Sequence, residues 1–280
     1  MISDQAEKLR EIAKNNHTTK VITVTSGKGG VGKTNLSVNL AIAYAQMGKR
    51  TIIFDADLGL SNVNIVIGLV PGPKYNLHHV LKGQKSILDV VTEAPGGVKI
   101  ISGAMGVTEL SNLSFEQRKN FIEDLNKLTG IADIIIVDTG AGLSANVLSF
   151  ILAADEVVLM TTAEPTAIAD AYGMVKAIGK ENEEKRIRLV VNRVNNIIEG
   201  KKVVDHFTDI VSQFLNMRVE SLGYILEDAV VGKAVRQRNP FALTYPKAKA
   251  TNCVYHIRDK LENVSEPPKG IANFLKSFFK

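Results

Sequence analysis

The chain has 280 residues, enough for a single large α/β domain, and 45% of them are hydrophobic, which excludes an intrinsically disordered polypeptide. It has no apolar run near the roughly 18 residues of a membrane-crossing helix, and its N-terminus, with Asp4, Glu7 and Glu11, lacks the apolar stretch of a secretory signal. A lone Cys253 excludes an internal disulfide and fits a reducing cytoplasm, while the net charge of +5 is too modest to choose among nucleic acid, anionic lipid and plain solvent.

In chain order, residues 2–13 come first, with Ile2, Ala6, Leu9 and Ala13 on one stripe of a short amphipathic helix. Such a helix is too short to be stable alone and suits folding on a partner. The strand expected at 20–26 carries Val21-Ile22-Thr23-Val24 and runs into Gly27-Lys28-Gly29-Gly30-Val31-Gly32-Lys33-Thr34-Asn35. Gly27, Gly32, Lys33 and Thr34 have the Walker A spacing, G-x-x-x-x-G-K-[ST], of a phosphate-binding loop. The glycines let backbone N–H groups turn inward around phosphate oxygens, and the following helix directs its positive dipole end at the same point. Lys33 supplies a charge for the outer phosphates, and Thr34 a hydroxyl for Mg²⁺. The helix expected at 33–47 shows the periodic residues Leu36, Leu40, Ala43, Tyr44 and Met47 and stops at Gly48.

A strand at 50–55 ends at Asp55, and Asp57 lies two residues on, so both carboxylates face one side, toward the metal. Strand 98–102 and helix 114–129 follow, the latter with a capping box of Ser114 and Gln117. The strand at 133–138 is aliphatic from Ile134 to Val137 and ends in Asp138 before Thr139-Gly140-Ala141-Gly142, a Walker B arrangement for holding Mg²⁺. Helix 144–153, strand 156–162, helix 165–182, strand 187–192, helix 201–216, strand 221–225 and helices 228–238 and 247–262 complete the alternation. Short apolar strands between periodic helices imply right-handed βαβ crossovers. The expected fold is a doubly wound, mostly parallel sheet with helices on both faces and ligands at the carboxyl ends of its strands.

Past the breaker Ser265-Glu266-Pro267-Pro268, the residues Ile271, Phe274, Leu275, Phe278 and Phe279 form one apolar helical face, with Lys276 and Lys280 on the other. This pattern suits weak, reversible binding to an anionic membrane surface, strengthened by avidity if two copies act together. The competing expectation is a helix packed on the protein's own core, and one helix can do both in turn. The chain therefore divides into an N-terminal segment 1–19, which either frays or folds on a partner, a P-loop domain 20–264, and a linker with an amphipathic helix 265–280 suited to a membrane surface.

An ordinary phosphate loop does not require Lys28, directly after the first glycine. With it the loop resembles the deviant Walker A of the MinD/ParA family of P-loop ATPases. The resemblance implies an ATP- and Mg²⁺-dependent sandwich homodimer in which Lys28 reaches the partner's nucleotide, so that hydrolysis depends on dimerisation. It further implies that Asp55 belongs to the outer metal shell, that Asp57 positions the attacking water, and that Asn192 meets the adenine edge. Glu227 and Asp228 then belong to the loop over the base, where relatives often have proline in place of Leu226. Lys28, Lys33 and Asp57 are the expected catalytic residues, and Thr34, Asp55 and Asp138 the expected metal site.

Within the family, Asp55 to Asn62, Asp138 to Gly142 (with Gly140 where relatives carry proline), Glu164 to Tyr172, Tyr245 to Ala250, and Asn35 resemble the FlhG branch of flagellar number regulators. So does Asp4-Gln5-Ala6-Glu7-Lys8-Leu9-Arg10. In that branch Asp4, Gln5, Ala6, Leu9 and Arg10 would dock on the signal-recognition-type GTPase FlhF and stimulate it. Flagellar basal-body or regulatory proteins are further implied partners, and the implied location is the cytoplasm and, reversibly, the cytoplasmic face of the membrane. A MinD-type division-site regulator and a ParA-type DNA partition ATPase are the alternatives, although DNA is not the expected partner. A nitrogenase-type iron protein would need more cysteines than Cys253.

Overall fold

The computed structural model describes residues 18–57, 62–103, 115–263 and 268–278. Its centre is β1 (Lys20–Thr25), flanked by β5 (Ile134–Thr139) and β6 (Glu156–Thr162). Outward on one side lie β2 (Thr51–Ala56), β4 (Val98–Ile101) and β3 (Val91–Ala94); on the other lie β7 (Ile187–Val194) and β8 (Val219–Leu226). The order is β3-β4-β2-β5-β1-β6-β7-β8, and every pairing is parallel except β3 with β4. This is the expected doubly wound sheet, with an antiparallel strand at one edge.

The aliphatic strands are buried on both faces, which is why they show no polar alternation. Val21, Ile52 and Ile135 belong to one core, and the next residues along, Ile22, Ile53 and Ile136, to the other. The helix α1 (Lys33–Gln46) is buried through most of its length, from Leu36 to Tyr44. The short helices α2 (Val63–Ile67), α3 (Leu77–Leu81) and α4 (Ile87–Val90) precede α5 (Phe115–Asn126). A 3₁₀ turn, Lys127–Gly130, replaces the last turn expected of α5. Then come α6 (Ala145–Ala153), α7 (Pro165–Glu181), α8 (Ile197–Leu215), α9 (Ala229–Gln237), α10 (Phe241–Thr244) and α11 (Lys249–Glu262).

Several boundaries differ from the sequence expectation for identifiable reasons. β3 escapes the pattern because Val91-Thr92-Glu93-Ala94 is a half-exposed edge strand. α8 begins at Ile197, four residues early, because Asn196 caps it, its Oδ1 accepting from the Glu199 N–H at 2.9 Å. The expected capping box at Ser114 falls outside the described residues, as do the stripe of residues 2–13, the linker residues 264–267, Phe279 and Lys280.

The final helix, α12 (Ile271–Phe278), lies on the body. Ile271, Phe274 and Leu275 are buried in the same core as Val21, Phe121, Leu125 and Ile135. The Phe150 ring of α6 stacks on Phe274 at 6.3 Å and meets Phe278 at 4.5 Å between centroids. Of the two expectations for this segment, the structure shows the docked one: the described part of the apolar face, Ile271, Phe274, Leu275 and Phe278, packs on protein, and Lys276 faces solvent. Asp155 ties the segment down, its Oδ1 accepting from the Lys269 N–H at 2.7 Å and its Oδ2 from the Val21 N–H at 2.8 Å.

Candidate nucleotide-binding site

The loop between β1 and α1 stands at the carboxyl end of the central strand, where a parallel sheet leaves a crevice. Its glycines are required by geometry. A Cβ on Gly27 would lie 2.3 Å from the Asp170 carbonyl oxygen. Gly32 has φ of 103°, and a Cβ there would meet Asn192 Nδ2 at 2.4 Å. Gly29, Gly30 and Val31 complete the turn, and α1 begins at Lys33, so its free N–H groups face the loop.

Beneath the loop the predicted polar residues converge. Asp138, 1% exposed, accepts hydrogen bonds from Thr34 Oγ1 on Oδ2 at 2.8 Å and from Ser37 Oγ on Oδ1 at 2.7 Å. Burial pushes the Asp138 carboxyl up to about 6, against the pull of these hydroxyls and of Lys33. Asp55 is fully buried in register beside Asp138 on the adjacent strand, and its Oδ1 accepts from the Asp57 N–H at 3.1 Å. Asp57 lies by the glycine turn: a Cβ on Gly140 would be 3.5 Å from Asp57 Oδ1. Lys33, 8% exposed, donates to Ser26 Oγ at 2.8 Å, and burial lowers its pKa. Ser26 in turn donates to the Lys28 carbonyl at 2.7 Å, bracing the loop.

Lys28 lies at the rim rather than in the crevice. Its ammonium donates to Glu164 Oε2 at 2.8 Å and to Thr166 Oγ1 at 2.7 Å, both at the start of α7, and this contact lowers the Glu164 pKa. In the single chain the lysine is therefore held in cis.

The expected base site forms a cavity of about 540 Å³ lined by Gly32, Asn35, Asn192, Glu227 and Asp228, together with Arg193 and Arg236. Asn192 donates from Nδ2 to the Val31 carbonyl at 2.7 Å and accepts on Oδ1 from the Arg193 N–H at 2.9 Å, joining β7 to the loop. Asp228 caps α9, accepting from the Val230 N–H at 3.1 Å and, from α11, the Ala250 N–H at 3.3 Å. Asp228 thus shapes the cavity through its loop, its carboxylate being committed to backbone donors.

These groups suit a magnesium nucleotide: a hydroxyl at the metal position, a carboxylate behind it, a buried ammonium and a ring of backbone donors. Among the described residues no cluster of three His, Cys, Asp or Glu could hold a metal by itself. A P-loop needs none, because phosphate and water supply most ligands of Mg²⁺. The sequence reading missed Ser26, Ser37, Glu164, Thr166 and the cavity arginines. Ser37 was within reach, since it follows Thr34 by three residues on the same helix face. Glu164 and Thr166 stand 136 and 138 residues from Lys28, and no local pattern joins them.

A family model for the CobQ/CobB/MinD/ParA nucleotide binding domain matches residues 22–241. The chain is 37% identical over 260 residues to the antiactivator FleN of Pseudomonas aeruginosa, covering 92% of each protein. It is 32% identical over 274 residues to the flagellum site-determining protein YlxH of Helicobacter pylori, covering 95% of this chain and 92% of that one. Among solved structures it aligns with the septum site-determining protein MinD of Pyrococcus horikoshii complexed with Mg-ADP. The TM-score is 0.69 at 25% identity, over 88% of this chain and 96% of that one. No helix among the described residues is long and apolar enough to cross a membrane.

Proposed function

The chain belongs to the MinD/ParA family of nucleotide-binding proteins, and on that premise we propose that it is a MinD-like ATPase regulating flagellar number and placement. The observation that carries the nucleotide chemistry is the buried Asp138 joined to the Thr34 and Ser37 hydroxyls directly under the phosphate loop. The flagellar assignment draws on FleN and YlxH, each matched over more than nine-tenths of this chain.

The backbone N–H groups of residues 28–34 and the Lys33 ammonium bind the triphosphate, and the Thr34 hydroxyl reaches the metal position. Asp55 and Asp138 hold the outer shell of that position, and Asp57 orients the attacking water. Mg²⁺, when bound, neutralises charge on the phosphate oxygens. In the ATP-bound homodimer Lys28 leaves Glu164 and Thr166 and lies against the partner's γ-phosphate, where charge develops as the bond breaks. Asn192, Glu227 and Asp228 enclose the base.

Dimerisation and the membrane surface together release α12, whose face of Ile271, Phe274, Leu275, Phe278 and Phe279, with Lys276 and Lys280, binds the cytoplasmic side of that membrane. Asp4, Gln5, Ala6, Leu9 and Arg10 engage the GTPase FlhF and stimulate GTP hydrolysis, and flagellar basal-body or regulatory proteins engage the same cycle. Hydrolysis returns the monomer to the cytoplasm. Asp57→Ala should still bind ATP and remain dimeric with it, giving a doubled mass by light scattering; a monomer under saturating ATP and Mg²⁺ would refute the cycle. A peptide of residues 1–20 should raise FlhF GTPase activity, and no change would remove the proposed role of that segment.

A further inference from the structure

β8 ends the sheet, and among the described residues no strand pairs with its outer side. A groove of about 580 Å³ runs along that edge, walled by α8 on one face of the sheet and α11 on the other. Its floor includes Ser221, Gly223, Tyr224 and Leu226 of the strand itself. An unpaired edge presents backbone N–H and C=O groups that another chain can use.

Two details show those groups facing the groove. The Ser221 carbonyl accepts from the ammonium of Lys260, a lining residue of the groove, at 3.4 Å. Farther along, Leu226 makes a backbone hydrogen bond to the Cys253 thiol, a weak partner. The register against β7 slips between Leu189 and Val190, which pair with Ser221 and Gly223, so Leu222 is an extra residue. This bulge, with Gly223 at φ of 125°, and a second irregularity between Val191 and Val194 interrupt the regular pairing with β7, and the Ser221 carbonyl and the Leu226 backbone each meet a side chain of α11 that lines the groove.

The walls carry an unbalanced charge. Lys201, Lys249 and Lys260 line the groove with His256, and Asp205 is the one carboxylate among the described lining residues. None of these three lysines forms an ion pair with a described residue. Cations left unpaired beside a backbone edge match an extended segment that brings its own carboxylates. From Ser221 to Leu226 the edge spans roughly 17 Å, the length of about five residues of strand.

We propose that the β8 edge is a docking site for an extended acidic peptide segment of a partner protein, which adds to the sheet as a further strand. Main-chain hydrogen bonds to β8 supply the geometry, and Lys201, Lys249 and Lys260 select glutamate or aspartate side chains on the incoming strand. The site lies apart from the phosphate loop and from α12, so the inference stands whether or not the nucleotide cycle proposed above holds.

The test uses the full chain and fluorescence anisotropy with a labelled peptide of about ten residues alternating glutamate and valine. Saturable binding is expected, weakened about tenfold in the double variant Lys201→Glu, Lys249→Glu, since each reversal turns a weak attraction into a repulsion. A peptide alternating glutamine and valine should lose a similar factor. The same glutamate peptide N-methylated on alternate residues keeps its charge but cannot pair as a strand, so its binding should be lost. Circular dichroism and magnesium-ATP binding identify the charge-reversed protein as folded. Absence of saturable binding, equal binding of the N-methylated peptide, or binding of a random DNA duplex at the same lysines in place of the peptide would each overturn the proposal.

Discussion

Asp138 shows how a single buried carboxylate is made tolerable before any ligand arrives. Two hydroxyls from consecutive positions on one face of α1, Thr34 and Ser37, each donate to one of its oxygens. Losing either leaves a buried acceptor short of a donor. Ser37→Ala should therefore cost about 1–3 kcal/mol of stability, read as a lower urea midpoint, while the phosphate loop keeps its residues. A second residue sets a pH dependence. Burial and the nearby Lys269 lower Lys185 to about 8, against the opposing pull of Asp155 and Glu156; its ammonium donates to the Leu152 and Ala154 carbonyls. A lysine whose pKa is depressed on folding binds fewer protons in the native state than in the unfolded one. Its contribution to stability therefore rises with pH between about 8 and the unfolded value of about 10.4, by at most about 1.4 kcal/mol per pH unit. The wild type should gain thermal stability over that window relative to Lys185→Met, and parallel curves would show that Lys185 has no such role. At this scale, legibility depended on sequence distance. Gly27 to Thr34 is a local pattern whose chemistry is written in consecutive residues, whereas the Lys28–Glu164 pair is a product of the fold.

Among the elements, the central strands were legible because burial on both faces leaves only β-branched and aliphatic residues, as in Ile134 to Val137. β3 was not, because a half-exposed edge strand of four residues has no such signature. α8 was shortened in the sequence reading because Ile197 and Ile198, exposed at 60% and 81%, break the amphipathic pattern at its first turn. For α12 the periodicity revealed the apolar face but not what covers it, since a core-facing and a membrane-facing stripe share one repeat. The structure adds the fastening. Asp155, in the turn between α6 and β6, holds the Lys269 and Val21 N–H groups with its two oxygens. Asp155→Ala leaves the phosphate loop intact but frees both donors, loosening the approach to the docked helix. Sedimentation with anionic vesicles in the presence of ADP should rise several-fold over wild type. Unchanged sedimentation with a normally folded variant would show that apolar contacts alone retain α12.

For the whole molecule, the docked helix sets an energetic condition on the proposed cycle, which nucleotide and membrane would have to meet jointly. Burying Ile271, Phe274 and Leu275 is worth roughly 1.5–3 kcal/mol each, so undocking α12 costs on the order of 6 kcal/mol. A ligand present at a thousandfold over its Kd stabilises the state that binds it by only about 4 kcal/mol. Nucleotide alone therefore does not expose this face to water. Insertion into lipid returns apolar burial of similar size to what undocking removes, which makes the exchange nearly balanced. In the proposed cycle ATP then has to supply only a bias, and a dimer carrying two helices would multiply weak single contacts by about 10²–10⁴. Vesicle binding should accordingly require ATP, Mg²⁺ and lipid together, with the ADP form at least tenfold weaker. Removing residues 270–280 should abolish sedimentation while leaving ATP-dependent dimerisation in place, because the phosphate loop, Asp57 and Asp138 lie outside that segment. If the truncated chain still sediments with vesicles under ATP, the membrane contact lies elsewhere; if it no longer dimerises, α12 belongs to the fold rather than to a releasable anchor.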